Sequence, residues 1–207
     1  MSRFGNSTAA AVSIRPARTE EQKLLESLQR RASLSNPGDR DALLANPGAI
    51  ALPIEQITDG CVFVAERDGT VVGFAAVIQR PDGGAELDAL FVEPHLWKHG
   101  IGRLLVDHSA DIARARAASF LHVIGNPHAE GFYILCGFRI TGIVETQFGI
   151  GFAMTPATRA ILRDHRRGAV HRRASRCTPR GDHRGRENTR PPPASRRAQP
   201  VPLLVAR

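Results

Sequence analysis

The sequence predicts an α/β domain in which helices pack on a mixed β-sheet. Three observations support this fold class. Between residues 61 and 92, short β-rich runs alternate with turn residues. On both sides of that region, apolar residues recur at helical spacing. With 207 residues, of which 42% are hydrophobic, the chain is long and apolar enough to bury a core.

The N-terminal region predicts one strand followed by two helices. Residues 11–15 alternate in polarity, as a half-buried strand does. Thr19 and Gln22 have the spacing of a capping box, and leucines follow them at helical spacing. The Asn-Pro-Gly triplet at 36–38 is predicted to end this first helix, and a second short helix is predicted over residues 40–45.

The central region predicts three strands and a long helix. Residues 61–65 and 71–78 are β-rich and flank an Asp-Gly pair at 68–69, which predicts an antiparallel hairpin. A third strand is predicted over residues 86–92. The helix after it begins at a glycine-containing loop and carries one face for packing, formed by Ile101, Leu105, His108 and Ile112.

The remaining elements complete the order β-α-α-β-β-β-α-β-α-β-β. Residues 120–124 predict a short buried strand. Asn126 is a typical N-cap residue, and Pro127 suits the first position of the helix that follows, which is predicted to end near Gly137. A last pair of strands is predicted within residues 138–154.

Charge and composition divide the chain into three parts. Residues 1–11 are small and polar, and we expect a flexible N-terminus there. Residues 12–160 contain the predicted domain. Residues 161–207 are rich in Arg and Pro and lack hydrophobic periodicity, which predicts a disordered tail. Residues 165–207 hold twelve arginines and two carboxylates, a net charge of +10, so the formal charge of +8 belongs to the tail and the rest carries −2.

Several classes of protein are disfavoured by the sequence. No run of 18 apolar residues occurs, and the first residues do not have the pattern of a signal peptide. We therefore expect a cytoplasmic protein without membrane contact. The cysteines and histidines show no metal-ligand spacing, so no metal site is predicted.

The loop between the third central strand and the long helix is the most informative stretch. Gly100 and Gly102 allow the backbone to come close to a ligand, and the helix that starts there offers its N-terminal amides to a phosphate. Lys98, His99 and Arg103 add further donors. The spacing matches neither a dinucleotide fingerprint nor a triphosphate loop. Taken alone, the stretch fits a tight strand-to-helix connection as well as it fits a phosphate site.

Neighbouring motifs extend this pattern to a resemblance. Residues 90–105 look like the central acetyl-CoA motif of the GCN5-related N-acetyltransferase (GNAT) family. Residues 126–138 resemble its Asn-…-Ala-…-Phe-Tyr-…-Gly-Phe segment, and residues 15–17 resemble its opening strand. The likeness covers about residues 12–155, with the motifs in the family's order. Trp97 departs from it, because the family usually has Arg or Gln at this position.

The resemblance implies an acyltransferase that moves an acetyl group from acetyl-CoA, its co-substrate, to a primary amine by direct attack on the thioester. It implies no metal. Residues matching Leu90 and Val92 would offer backbone groups to the pantetheine arm, and an amide near Phe91 or Val92 would stabilise the oxyanion. Asn126 would both cap its helix and bind the cofactor. The full set of implied cofactor-binding residues is Leu90, Phe91, Val92, Lys98, His99, Gly100, Ile101, Gly102, Arg103 and Asn126.

Two residues are implied to be catalytic. Tyr133 matches the family's general acid and would protonate the departing thiolate; the alternative is that it simply packs in the core. Glu86 lies where several members carry a glutamate base, and Asp88 is expected on the same face of the strand. Both carboxylates could instead be solvated at the end of the strand, or bind a cationic acceptor.

The partners follow from the same resemblance. The acceptor would be a small-molecule or peptide amine, and a homodimer is possible. A non-catalytic acyl-CoA-binding module is the alternative function, because Trp97 alters the loop. Nucleic acid is not an expected partner except through non-specific, salt-sensitive binding by the arginine-rich tail, which has no aromatic residues for base stacking.

Overall fold

The structure is a computed structural model, and it describes residues 11–146 and 149–157. These residues form one seven-stranded sheet with the strand order β1-β2-β3-β4-β5-β7-β6. The strands are β1 Val12–Pro16, β2 Val62–Arg67, β3 Thr70–Gln79, β4 Ala85–Val92, β5 Leu121–Gly125, β6 Phe138–Thr146 and β7 Gly149–Pro156. The helices are α1 Gln22–Ser35, α2 Pro37–Ala45, α3 Ile54–Thr58, α4 Ile101–Ala115 and α5 Glu130–Leu135.

One pair of neighbouring strands in the described sheet is parallel, and the other pairs are antiparallel. Neighbouring strands from β1 to β4 are antiparallel, β4 and β5 are parallel, and β5, β7 and β6 are again antiparallel. The parallel pair requires a crossover, and α4 provides it. The mixed α/β fold class predicted from the sequence is therefore confirmed.

Helices cover both faces of the sheet. On one face α4 packs on β3 and β4, and its apolar side chains join a core that also contains Tyr133. On the other face α1 packs on the same two strands through Leu25 and Leu28, while Leu24 of the predicted leucine set is exposed. Strand β4 is thus buried on both faces, and it runs directly into the glycine-containing loop.

Local turn chemistry explains the elements that were predicted correctly. Asp68 and Gly69 both have positive φ, 51° and 73°, as the tight turn between β2 and β3 requires. The side chain of Asn126 accepts a hydrogen bond from Ala129 N at 3.0 Å and caps the 3₁₀ turn that leads into α5.

The predicted helix boundaries near the N-terminus need correction. Helix α2 begins at Pro37, because Asn36 caps it by accepting from Gly38 N at 3.0 Å. The triplet at 36–38 therefore starts a helix in addition to ending one. Helix α3 is a further element that was not predicted.

The predicted capping box of Thr19 and Gln22 is also wrong. The amide of Arg18 donates to Glu21 Oε2 at 2.7 Å, so the carboxylate that completes the first turn is that of Glu21. The side chain of Gln22 donates instead to the carbonyl of Leu52 at 2.7 Å.

Three sequence predictions lie wholly or partly outside the described residues. The flexible N-terminus is described only at residue 11, the domain at 12–160 is described as far as residue 157 without residues 147 and 148, and the tail at 161–207 is not described. Among the described residues, no helix is both long and apolar enough to cross a membrane.

Candidate functional site

The site begins where β4 and β5 separate. The two strands pair only from Ala85 to Leu87 on β4, with Leu87 opposite Val123. Beyond that point Glu93 N donates to Val72 O on β3 at 2.9 Å. Because backbone groups alternate sides along a strand, the N–H and C=O of Val92 point to the other side, toward β5. Strand β5 does not reach them, so these groups border an opening in the sheet.

The backbone groups of Leu90 and Phe91 also point to opposite sides of β4. Phe91 is paired with Phe74 on β3 and has the same backbone orientation as Glu93, so its amide faces β3. Leu90 has the orientation of Val92 and faces the opening. Of the two amides expected near the thioester, only that of Val92 therefore faces the opening, and Phe91 contributes a buried side chain to the core on the α1 face.

The loop after β4 presents free backbone amides. Lys98 and Gly100 have φ angles of 66° and 83°, and Gly100 is the N-cap of α4. Within the part of the chain that is described, the amides of Lys98 and of residues 100–103 make no hydrogen bond, whereas His99 N donates to Leu96 O at a long 3.4 Å. Unpaired amides at the start of a 15-residue helix favour an anion.

A cavity of about 660 Å³ connects the loop to the opening in the sheet. This volume is typical of a small-molecule site. Helix α4 and the segment around α5 form its walls. The cavity is lined by Val92, Leu96, Trp97, Lys98, Gly100, Gly102, Arg103, His128, Gly131, Phe132, Leu135 and Cys136.

The cavity brings together half of the predicted cofactor-binding residues. Val92, Lys98, Gly100, Gly102 and Arg103 line it. The predicted residues that do not line it are Leu90, Phe91, His99, Ile101 and Asn126. Ile101 sends its side chain into the core, although its amide belongs to the free set in the loop.

The side chain of Arg103 is tied to the far wall of the cavity. Its Nη1 donates to the carbonyl of Leu135 at 2.7 Å, and its Nε lies 3.8 Å from Asp107 Oδ2. The guanidinium is exposed at the rim. The guanidinium of Arg103 would therefore lie close to a ligand phosphate at the loop while it also donates to the carbonyl of Leu135.

Trp97 makes a contact that the sequence did not predict. Its indole Nε1 donates to the carbonyl oxygen of Val92 at 2.8 Å. The ring is half-buried and packs against the cores on both faces of the sheet. The side chain that replaces the family's usual Arg or Gln thus turns back onto the strand.

Tyr133 is completely buried on α5. Its ring makes edge-to-face contacts with Phe132 and Phe138, at centroid distances of 5.1 Å and 5.6 Å. Among the described residues its hydroxyl has no hydrogen-bond partner, and burial raises the pKa of the phenol well above its usual value. An unpaired buried hydroxyl is costly, and such groups often have a functional reason. Tyr133 does not line the cavity, whereas the neighbouring Phe132 does.

Glu86 is paired with a cation. Its Oε2 accepts from Arg80 Nη1 at 2.7 Å and lies 4.0 Å from His122 Nδ1. Burial raises the pKa of Glu86, and the neighbouring Arg80 opposes this effect. Glu86 does not line the cavity, and it lies in the part of β4 that is still paired with β5.

Asp88 is the unpaired residue of a β-bulge. Ala89 is opposite Ala76 and Leu87 is opposite Val77, so Asp88 is the extra residue on β4. Its Oδ2 accepts from Gln56 Nε2 of α3 at 3.0 Å. Burial raises the pKa of Asp88 to about 6. The bulge lies at the point where β4 leaves β5.

Asp39 forms a buried polar cluster that sequence reasoning missed. Its carboxylate accepts from Asn126 Nδ2 at 3.0 Å and 3.1 Å and from Asn36 Nδ2 at 3.2 Å. The two asparagines are the caps of α2 and of the turn before α5. Burial raises the pKa of Asp39 to about 7. Asn126 therefore binds Asp39, which the sequence did not indicate, and it does not line the cavity.

In the described ranges no group of three His, Cys, Asp or Glu side chains is arranged to hold a metal ion.

A family model matches the central part of the chain. Residues 25–138, more than half of the chain, match the family model described as the acetyltransferase (GNAT) family.

Two curated relatives carry the same name, peptidyl-lysine N-acetyltransferase YjaB. The protein from Escherichia coli K12 is 37% identical over 84 residues, which is 41% of this chain and 52% of the relative. The protein from Salmonella typhimurium is 37% identical over 62 residues, 30% of this chain and 41% of the relative. The chain thus spans about half the length, or less, of the curated relatives it matches.

Solved structures with a similar fold support the topology. A GCN5-related N-acetyltransferase from Rhodopseudomonas palustris aligns with a TM-score of 0.58 at 20% identity, covering 74% of this chain and all of that chain. The PaiA N-acetyltransferase from Thermoplasma acidophilum, solved in complex with coenzyme A, aligns with a TM-score of 0.55 at 17% identity, covering 70% of this chain and 98% of that chain. At these identities the likeness concerns the fold.

Proposed function

Because the chain belongs to the acetyltransferase (GNAT) family, we propose that it transfers an acetyl group from acetyl-CoA to a primary amine. One observation carries the proposal. The cavity joins a loop of unpaired amides to an opening between β4 and β5, where the backbone groups of Val92 face outward. A pyrophosphate fits the first part and an extended amide-containing arm fits the second.

Cofactor binding would use mainly backbone groups. The amides of Lys98 and of residues 100–103 would hold the pyrophosphate, and the positive end of α4 would add to their attraction. Exposed Arg103 would supply a charged donor at the rim. The pantetheine arm would lie along β4 and bond to Val92 in place of a neighbouring strand.

The chemical step would be a direct attack on the thioester. A neutral amine attacks the carbonyl carbon, the C–N bond forms, and the N–H of Val92 stabilises the oxyanion. The C–S bond then breaks, and the hydroxyl of Tyr133 donates its proton to the thiolate. Tyr133 is protonated at neutral pH, as a proton donor requires, whereas the further rise of its pKa on burial weakens it as an acid. The products are an acetylated amine and the free thiol of CoA.

The base must remove a proton from the attacking amine. Glu86 is our first candidate, acting through water, and its pKa is raised by burial. Asp88 is the second, because it lies on the bulge next to the opening and has an amide partner instead of a cation. A carboxylate with a pKa of about 6 is ionised at neutral pH and still accepts a proton readily.

For the acceptor we propose a cationic amine, including the lysine side chain of a peptide. The two YjaB relatives are peptidyl-lysine N-acetyltransferases by name. Glu86 and Asp88 supply negative charge on the face of the sheet opposite α4. A small-molecule amine of the same charge would meet the same groups.

The decisive experiment supplies the full-length chain with acetyl-CoA and a panel of amines and lysine peptides. Release of free thiol and the mass of the product are measured together. We expect a mass gain of one acetyl group on at least one amine, with one thiol released for each acetyl group transferred. The matched control is Glu86→Gln, which preserves the size of the side chain and removes the base. Absence of acetyl-CoA binding by the wild-type chain would contradict the proposal.

A non-catalytic acyl-CoA-binding module is the second candidate function. The burial of Tyr133 favours this alternative, because Tyr133 is not among the residues that line the cavity. Tight acetyl-CoA binding without transfer to any amine, unchanged in Tyr133→Phe, would support this alternative.

A further inference from the structure

The indole of Trp97 forms a hydrogen bond with a backbone carbonyl that the pantetheine arm of the proposed cofactor would use. The carbonyl of Val92 faces the opening between β4 and β5, where no strand of the described residues donates to it. The indole N–H of Trp97 donates to that oxygen at 2.8 Å. Both residues line the same cavity. The indole therefore takes the place of the hydrogen-bond donor that a neighbouring strand would provide.

The position of the ring is set by packing as well as by this hydrogen bond. Trp97 contacts the cores on both faces of the sheet, at the point where β4 ends. It directly precedes Lys98, whose φ of 66° starts the loop of free amides. The side chain of Trp97 thus borders both the loop and the opening between β4 and β5. Its indole N–H is directed toward the opening, where it meets the carbonyl of Val92.

We propose that Trp97 is a specificity-determining residue that makes the pantetheine arm compete with the indole for the carbonyl of Val92. This inference rests on the proposed function. An acyl-CoA displaces the indole, because an amide N–H of its arm replaces the indole N–H. A nucleotide diphosphate without the arm binds the loop and leaves the indole in place. Trp97 therefore lowers the affinity for ligands that carry an amide-containing arm, and it leaves the affinity for ligands without the arm unchanged.

The first test uses Trp97 itself as the probe, because it is the single tryptophan of the chain. Dephospho-CoA and ADP are the matched ligands, since they differ only in the pantetheine arm. Saturation is established by calorimetry, and the fluorescence of the full chain is then recorded. We expect dephospho-CoA to change the intensity and wavelength of emission and ADP to leave both unchanged. Equal changes with the two ligands, or no change with bound dephospho-CoA, would overturn the inference.

The second test is Trp97→Phe, which keeps an aromatic ring and removes the N–H. Since one neutral hydrogen bond contributes modestly to a net affinity, we expect dephospho-CoA to bind about 3- to 10-fold more tightly. The affinity for ADP should stay within about twofold. Weaker binding of dephospho-CoA by a folded variant would overturn the inference, and if the variant does not fold, the fluorescence test decides.

The two tests also separate this inference from the proposed function. A wild-type chain that binds neither CoA nor dephospho-CoA overturns the proposed function, and the inference with it. A wild-type chain that binds both with unchanged tryptophan emission overturns the inference alone.

Discussion

At the scale of single residues, the buried polar groups around α5 differ in how they are satisfied. Within the part of the chain that the structure describes, the hydroxyl of Tyr133 has no hydrogen-bond partner, whereas the carboxylate of Asp39 receives three hydrogen bonds from two asparagines. Satisfied buried groups hold structure in place, and unsatisfied ones cost stability. The two residues therefore predict opposite consequences of mutation.

Replacing Tyr133 by Phe should separate stability from activity. The substitution removes a hydroxyl without a partner, so we expect unchanged or higher stability, by about 1 kcal/mol. Loss of the proton donor should lower kcat by about 100-fold or more, with little change in acetyl-CoA affinity. Thermal unfolding and steady-state kinetics measure the two effects. An unchanged kcat in an active enzyme would contradict the role of Tyr133 as the acid.

The contact between Asp39 and Asn126 can be tested by exchanging the two side chains. Asp39→Asn turns one amide nitrogen toward another, and Asn126→Asp turns one carboxylate toward another. Each single variant should lose about 1–3 kcal/mol of stability. The double variant restores one donor and one acceptor and keeps an oxygen to cap Ala129 N, so it should regain most of the loss. Additive losses in chemical denaturation would show that the two side chains are not coupled.

At the scale of elements, β3 and β4 form the support of the site. Gly73 lies on β3 opposite Val92, with α4 above it. A Cβ built at Gly73 would lie 2.9 Å from the carbonyl oxygen of Phe91 and 3.3 Å from Leu105. The close approach of backbone and helix at this position therefore requires glycine.

We predict that Gly73→Ala destabilises the protein by about 1–3 kcal/mol, because the backbone of β4 must move to relieve the contact. The matched control is Gly48→Ala, since a Cβ at Gly48 meets nothing within 4 Å. Denaturant unfolding of both variants measures the difference. Similar stability of the two would show that β4 adjusts without cost.

The elements also show which features a sequence can predict. The turn at 68–69 and the cap at Asn126 depend on neighbours in sequence, so residue types indicated them correctly. The contact between Asp39 and Asn126 joins residues 87 positions apart, and no local pattern reports it. Helix α3 has five residues and too few turns for a periodic signal. Trp97 was noticed as a departure from the family pattern, but its bond to Val92 depends on how the loop folds back.

At the scale of the whole molecule, stability should depend on the ionisation of buried carboxylates. Asp39 and Asp88 have pKa values raised to about 7 and about 6, mainly by burial. A carboxyl with a raised pKa in the folded state binds its proton more tightly there than in the unfolded chain. Its contribution to stability is complete below the unfolded pKa and is lost as pH rises through the folded pKa. Glu21 acts in the opposite sense, because Arg15 lowers its pKa.

Asp88→Asn should remove the contribution of Asp88 to the pH dependence of stability. An asparagine at this position still accepts from Gln56 Nε2 through its amide oxygen. As pH rises from about 4 to about 7, we expect the free energy of unfolding of the variant to increase by about 1–3 kcal/mol relative to that of the wild type. Denaturant unfolding at a series of pH values provides the comparison. A difference that is constant with pH would show that Asp88 does not titrate in this range.

The short pairing between β4 and β5 has a mechanical consequence. Among the described residues, β4 and β5 pair at three positions, and this short pairing joins the antiparallel strands that precede α4 to those that follow it. In the proposed binding mode, an arm that bonds to β4 would act as a partial eighth strand beside this short pairing. Ligand binding should therefore couple local unfolding of β5 and β7 to local unfolding of β4. We expect it to slow amide hydrogen exchange in β5 and β7 as well as at the residues that contact the ligand.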